Sequence, residues 1–145
     1  MALRCVVVNN YRSGYESLVG QDLQARGIYF EFEKLKIKYV SSVRGGVCTA
    51  CGSKKVGKAR VYTPDFVIPR NPNPEHNLIV EAKGRFPSTD KSKMRDIKKA
   101  NPALDIRILF QKRSSKQASE CQAWADKNGF RCAFGTHVPD EWLVP

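Results

Sequence analysis

Acidic residues are scarce in this chain of 145 residues, which has 14 of them against 25 lysines and arginines. The formal charge is therefore +11, and the sequence pI is near 9.7. This imbalance predicts a polyanionic partner, because cationic side chains that neutralise phosphates release condensed counterions. The alternative is that the basic side chains simply lie on two solvent-exposed faces of the protein, although so many like charges on one surface repel one another.

Long hydrophobic runs are also absent. No window approaches about 18 uninterrupted apolar residues, which excludes a membrane-spanning helix. The short apolar run at residues 5–8 is not followed by a small-residue cleavage site, so we do not expect a secretory signal. Hydrophobic residues still make up 41% of the chain, which excludes a disordered tail, and the length fits one domain over residues 1–145.

The cysteines are few and odd in number. Five cysteines without a secretory signal argue against a disulfide framework and for a reducing compartment. Cys48 and Cys51 form a C-x-x-C knuckle of the kind that binds zinc, but no second C-x-x-C follows to complete four ligands. Two interpretations stay open, a turn with reduced thiols or half of a zinc site completed by a second subunit. Other residues that could complete it, without any indicative spacing, are Cys121, Cys132, His76 and His137.

The positive charge is concentrated in two stretches. Residues 34–60 contain eight basic and no acidic side chains, and residues 82–116 contain eleven basic and three acidic ones. The remainder of the chain is mildly acidic. The excess charge therefore belongs to particular segments, as expected of a surface that binds a polyanion.

The hydrophobic pattern predicts an α/β fold with a mixed central sheet flanked by helices. A helix is expected at residues 12–27, where Ser13 and Glu16 form a capping box and Gly27 ends the helix. Residues 28–40 alternate as one or two strands, and residues 41–60 form a cysteine-containing excursion from the sheet. Further expected elements are strands at 61–68, 77–83, 105–111 and 130–134, helices at 89–100 and 118–128, and a tail at 139–145 that docks on the surface through Trp142.

The residues with chemical potential lie on the predicted hairpin of strands 61–68 and 77–83. Asp65 is on the first strand, and Glu81 and Lys83 point to one side of the second, since alternate residues of a strand share a face. Two carboxylates a strand apart suit Mg²⁺, and a nearby ammonium can orient or help to deprotonate a water and offset charge on a phosphate. This set of groups predicts metal-assisted phosphodiester hydrolysis.

Each of these motifs also has a purely structural interpretation. An aspartate after proline is common in turns, a Glu-x-Lys on a strand is often an exposed ion pair, and the capping box already explains Glu16. Together these motifs favour a functional site, because burying a carboxylate among strongly apolar strand residues costs free energy unless the carboxylate has a hydrogen-bonding or charged partner. A third carboxylate from the first helix would complete a two-metal site.

Five segments are recognisable in this order: Arg-Ser-Gly-Tyr-Glu at 12–16, Tyr-Thr-Pro-Asp-Phe at 62–66, Val-Glu-Ala-Lys-Gly at 80–84, Leu-Asp-Ile-Arg-Ile at 104–108 and Pro-Asp-Glu-Trp at 139–142. Over residues 11–142 the chain closely resembles the endonuclease I family of T-seven-like bacteriophages, junction-resolving enzymes with a restriction-endonuclease-like core. The resemblance implies a homodimer with exchanged elements. The excursion at 41–60 is longer than the bridge that joins the exchanged halves in the family.

The same resemblance implies that Glu16, Asp65 and Glu81 bind metal and that Lys83 is the catalytic lysine. Each site would combine Glu16 of one subunit with the other three residues of its partner. Two Mg²⁺ or Mn²⁺ ions per site would support paired nicking of four-way and other branched DNA, in the host cytoplasm.

A basic surface is expected to contact the phosphates of the junction arms with little base readout. Its predicted members are Arg12, Lys91, Lys93, Arg95, Lys98, Lys99, Lys112, Arg113 and Lys116. Two other functions stay open. One is a non-catalytic basic nucleic-acid-binding protein with a zinc knuckle, and the other is a nuclease of the same core with a different DNA substrate.

The zinc interpretation predicts stoichiometric zinc in the purified protein, because paired cysteine thiolates hold the ion tightly. Elemental analysis of the protein and of Cys48→Ser tests this, and the substitution should abolish the zinc. If the unsubstituted protein contains no zinc, the zinc interpretation is wrong, and the interpretation as a turn with reduced thiols remains.

Overall fold

The computed structural model describes residues 10–41, 57–70 and 76–144 of the chain. Within these ranges there are four helices and seven strands. In chain order they are α1 (Gly14–Ala25), β1 (Glu31–Phe32), β2 (Ile37–Val40), β3 (Ala59–Tyr62), β4 (Phe66–Ile68), β5 (Leu78–Lys83), α2 (Ser88–Ala100), β6 (Asp105–Phe110), α3 (Ser115–Asn128), β7 (Arg131–Phe134) and α4 (Asp140–Leu143). No helix in the described part of the chain is both long and apolar enough to cross a membrane.

The central sheet has the strand order β1-β4-β5-β6-β7. Its first three strands are antiparallel, and β5, β6 and β7 are parallel to one another. The two parallel connections run through α2 and α3, because strands of the same direction need a crossover. This arrangement confirms the predicted α/β class with a mixed sheet flanked by helices.

Both faces of the sheet are covered, as the alternation along β5 shows. Leu78 and Val80 pack in one hydrophobic cluster with α1 and α4, whereas Ile79 packs in the other with α2, α3 and the β2–β3 pair. All three side chains are at most 1% exposed. A strand buried on both sides explains the continuous apolar run before Glu81.

The predicted single strand at residues 61–68 is wrong, because the structure divides it between two sheets. β3 pairs with β2 in a separate two-stranded sheet, and β4 pairs with β5 in the central one. The break falls at Pro64, whose ring fixes φ and which has no N–H to donate to a ladder. Asp65 therefore lies directly before β4, at a bend between the two sheets.

The predicted excursion at 41–60 is connected to this two-stranded sheet. Val40 pairs with Ala59, and the backbone N–H of Ser41 donates to the carbonyl of Lys58 at 2.9 Å. The chain thus leaves and returns at one end of the β2–β3 pair. Cys48 and Cys51 lie outside the described residues.

The helix ends follow local capping chemistry. The Ser13 hydroxyl accepts a bond from the Glu16 N–H at 3.2 Å, but the Glu16 carboxylate accepts from Arg12 N–H at 3.1 Å, one residue before the position that a capping box predicts. α3 begins at Ser115, earlier than the predicted 118, because Ser114 caps it through Gln117 N–H.

The tail was expected to dock on the surface through Trp142, yet this side chain is only 4% exposed and belongs to the hydrophobic cluster on the α1 side. The guanidinium of Arg107 lies 5.6 Å from the indole ring. Arg26 donates to the carbonyl of Val138 at 2.7 Å and pairs with Asp140, which fixes the start of α4. The tail is therefore part of the core.

Truncation of this side chain, Trp142→Ala, should lower the free energy of unfolding by about 3–5 kcal/mol, because it leaves a cavity in the core. Urea-induced unfolding measures the change. The matched control is Val144→Ala, since Val144 is 60% exposed and its truncation should cost less than about 0.5 kcal/mol. Equal losses in the two variants would contradict the assignment of the tail to the core.

Candidate active site

The backbone of the β4–β5 pair positions the acidic residues. Phe66 pairs with Val80, so the same register continued by one residue places Asp65 opposite Glu81. The Asp65 carboxylate accepts a hydrogen bond from the Ala82 N–H at 2.9 Å. Asp65 and Glu81 are 7% and 5% exposed, which makes both carboxylates buried.

Two further carboxylates converge on Asp65. Oxygen atoms of Glu16, Glu33 and Asp65 all lie within 4.8 Å of one another. Glu16 comes from the first turn of α1, and Glu33 follows β1. The resemblance implied that Glu16 is supplied by a partner subunit, but here Glu16 approaches Asp65 of its own chain.

Glu33 is the residue that sequence reasoning missed. It lies in the alternating segment that follows α1, where a polar residue is expected to face solvent. Its backbone adopts a φ of 51°, and its N–H donates to the Asp65 carbonyl at 3.1 Å. A positive φ is uncommon for a residue with a side chain, and such backbones cluster at functional sites. No local signal in the sequence distinguishes Glu33 from Glu31.

Glu81 and Lys83 form the second part of the site. Their charged groups are 3.4 Å apart, as expected for alternate residues of one strand, and the Tyr62 hydroxyl also donates to Glu81. The Lys83 ammonium reaches Asp90 at 3.5 Å, in the first turn of α2. Lys83 therefore links the carboxylates to the basic helix.

The electrostatics of the site follow from burial and from the crowding of like charges. Burial raises the pKa of Asp65 to about 8, and the carboxylates of Glu81 and Glu16 contribute to the rise. Burial also raises the pKa of Glu16, with further contributions from Glu33 and Glu81. Burial disfavours the charged form of Lys83, but the carboxylates of Glu81, Asp90 and Asp65 outweigh it and raise the pKa of Lys83.

This donor set fits a divalent cation. Carboxylate oxygens are the ligands that Mg²⁺ and Mn²⁺ prefer, and a cation at this position would relieve the repulsion between carboxylates that adds to the effect of burial on the pKa of Asp65. Glu16, Glu33 and Asp65 are close enough to share one ion, and Glu81 is the buried acid next to them.

The residues predicted to contact DNA lie in three places, and their binding to DNA stays a prediction. Arg12 lies at the carboxylate cluster, where its side chain is 74% exposed and its Nε is 2.8 Å from Glu33. The ammonium of Lys98 contacts the Phe130 ring and the Gly129 carbonyl, which joins α2 to the end of α3. The other predicted residues on α2 are Lys91, Lys93, Arg95 and Lys99, and those after β6 are Lys112, Arg113 and Lys116.

A buried acidic site with a lysine, on a mixed sheet in a strongly basic protein, is typical of a nuclease. The family model described as phage endonuclease I matches residues 1–144. Endonuclease I of Escherichia phage T7 is 31% identical over 140 residues, which is 94% of this chain and 80% of the relative. Endodeoxyribonuclease 1 of Enterobacteria phage T3 is 30% identical over 132 residues, with 88% and 74% covered. The chain therefore belongs to the phage endonuclease I family, and the resemblance seen in its motifs is confirmed.

The raised pKa of Asp65 predicts how stability depends on pH when no metal is bound. Because the native pKa is about 8 and the ordinary value is 3.8, the native state binds more protons than the unfolded chain between these values. The free energy of unfolding should therefore fall as pH rises across that interval. Asp65→Asn should remove this loss, because asparagine does not titrate. The free energy of unfolding of the variant minus that of the wild type should therefore increase from about pH 4 to about pH 8 and stay constant above pH 8.

Urea unfolding of both proteins in the presence of a chelator, at a series of pH values, measures the difference. Addition of Mg²⁺ at pH 8 should stabilise the wild type more than the variant, since only the wild type has the full carboxylate set. A stability difference that does not change with pH would contradict the placement of Asp65 in a crowded acidic site.

Proposed function

We propose that this protein is a structure-selective endodeoxyribonuclease that resolves four-way junctions and other branched DNA by hydrolysis that depends on Mg²⁺ or Mn²⁺. The observation that carries the proposal is the convergence of Glu16, Glu33 and Asp65 beside the buried Glu81–Lys83 pair. Membership of the phage endonuclease I family supports the nuclease activity. The strong positive charge supports a nucleic-acid substrate.

Glu16, Asp65 and Glu81 would hold the metal, and Glu33 is a fourth carboxylate within reach. A divalent ion held there would supply the chemistry of a Lewis acid, namely polarisation of the scissile phosphate and activation of the attacking water. The chain's own contribution is to hold the acids in a buried, preorganised cluster, so that the ligands need no rearrangement when the substrate arrives.

Lys83 is best suited to an electrostatic role. The carboxylates around it raise its pKa, so the ammonium stays charged at neutral pH and is a poor proton acceptor. A charged ammonium next to the phosphate stabilises the negative charge that develops in the transition state. Of the three roles expected from the sequence, orientation of a water and charge stabilisation are favoured over deprotonation of the water.

We also propose that the enzyme acts as a homodimer, because paired nicking of a four-way junction needs two active sites related by symmetry. The excursion between β2 and β3 is where an exchange of elements would cross between subunits. Since the carboxylate cluster closes within one chain and both Glu16 and Glu33 precede the excursion, exchange would swap these two acids together between equivalent sites without altering their composition. Activity in the cytoplasm of the host cell is part of the same proposal.

Asp65→Asn and Glu81→Gln should retain binding to a four-way junction and lose at least about a hundredfold in cleavage rate, because each removes a metal-binding charge but leaves the basic surface intact. Gel-shift assays without divalent metal measure binding, and single-turnover cleavage with Mg²⁺ measures the rate. Asp126→Asn is the matched control, since Asp126 is an exposed residue of α3.

The same assay on a linear duplex of equal sequence distinguishes the three candidate functions. Cleavage of the junction alone supports the proposal, and equal cleavage of both DNAs indicates a nuclease with a different substrate. No cleavage of either DNA with Mg²⁺ indicates a non-catalytic binding protein. Normal cleavage by Asp65→Asn or Glu81→Gln would show that the site has been assigned to the wrong residues.

A further inference from the structure

A cavity of about 530 Å³ opens where β5 and β6 end, outside the carboxylate cluster. Its wall begins at Gly84, which directly follows Lys83, and the Gln111 N–H donates to the Lys83 carbonyl at 2.9 Å. Binding cavities for small organic groups have volumes of roughly 300–1,000 Å³. The cavity is therefore large enough for a ligand and starts one residue from the proposed catalytic lysine.

One side of the cavity is aromatic. Phe110 lies between Phe86 and Phe134, with ring centroids 5.1 Å and 5.6 Å away respectively. Phe86 and Phe134 are both partly exposed, whereas Phe110 is 3% exposed. Partly exposed phenyl rings of this kind are surfaces on which nucleic-acid bases stack, and such stacking tolerates any base.

The charged residues that line the cavity are mainly basic. They are Arg85, Lys91 and Arg113, and Glu120 is the one acid among the described lining residues. The Arg113 Nε donates to the Gly84 carbonyl at 2.9 Å, which holds the guanidinium against the backbone of the cavity wall. Cations of this kind attract a phosphate, so the charge of the lining complements the charge of a nucleotide.

The amide side chains of Gln111 and Gln117 also line the cavity. An amide offers both a donor and an acceptor, as the hydrogen-bonding edge of a base requires. Aromatic rings, amides and cations in one cavity are the combination that recognises an unpaired nucleotide, since a paired base has neither its face nor its edge free.

We propose that this cavity binds one unpaired nucleotide of branched DNA, with its base against Phe86 and Phe134 and its phosphate at Lys91 and Arg113. The inference rests on the proposed function, because the cavity lies at the end of the strand that carries Glu81 and Lys83. Binding there would place a branch point with an unpaired nucleotide next to the carboxylate cluster.

The experiment fills the cavity. Ala118 lines it from the first turn of α3, so Ala118→Trp should occupy the space that the base would take. Ala123→Trp is the matched control, because Ala123 is an exposed alanine of the same helix that does not line this cavity. Gln117→Trp is a second filling variant at an exposed position, which keeps the test valid if Ala118→Trp folds poorly.

Two DNAs are compared, a fully paired four-way junction and the same junction with one unpaired thymidine at the branch point. Without divalent metal, the wild type and Ala123→Trp should bind the second DNA roughly tenfold more tightly than the first, within the range found for one stacked base. Ala118→Trp and Gln117→Trp should lose that preference and bind the fully paired junction as the wild type does.

Three results would overturn the proposal. The first two are a wild type with no preference for the junction that has an unpaired thymidine, and filling variants that keep this preference in full. The third is a changed oligomeric state of the filling variants in size-exclusion chromatography, which would place the cavity at a subunit interface. Failure of the proposed function is distinguishable, since the wild type would then either cleave neither DNA with Mg²⁺ or cleave a linear duplex of equal sequence as well as the junction. Failure of this inference alone would leave cleavage of the fully paired junction intact.

Discussion

The antiparallel pairing of β4 with β5 is the constraint on which the site depends. It begins directly after Pro64, which cannot take part in a ladder, so the chain turns from the β2–β3 sheet into the central sheet at Asp65. The Asp65 carboxylate then accepts the Ala82 N–H and becomes buried opposite Glu81. A shift of this register by one residue would turn Glu81 and Lys83 to the other face of the sheet, away from Glu16 and Glu33.

The carboxylates of the acidic cluster are buried close together and repel one another, and positive charges from elsewhere offset this repulsion. Burial, together with the neighbouring carboxylates, raises the pKa of Asp65, and within the described residues only Arg12 and Lys83 bring a cation to within 4 Å of these acids. A divalent cation would relieve the remaining repulsion. The net charge of +11 attracts a phosphate backbone to the protein as a whole, so a metal ion would compensate the acidic cluster and DNA would compensate the excess of basic residues.

Much of the architecture could be predicted from the sequence, because it rests on local rules. The limits of α1 and α2 follow from capping residues and proline, and the common face of Glu81 and Lys83 follows from the period of a strand. The division of residues 61–68 was missed although Pro64 marks it, since a continuous apolar pattern does not show which partner each half has. The burial of Trp142 was missed because a short tail gives no signal of the groove that receives it.

The fold class, the family and the chemical character of the site could all be inferred from the sequence, since the carboxylates, the lysine and the basic segments are matters of residue type and short-range spacing. Which acids meet depends instead on how the elements pack. Glu16 and Glu33 come from a helix and from the residue after a strand, and they reach Asp65 through the packing of α1 and β1 against β4 and β5. The cavity beyond Lys83 likewise combines the segment between β5 and α2 with residues of α2, β6, α3 and β7. Contacts between residues so distant in the chain depend on the whole core, which no local pattern encodes.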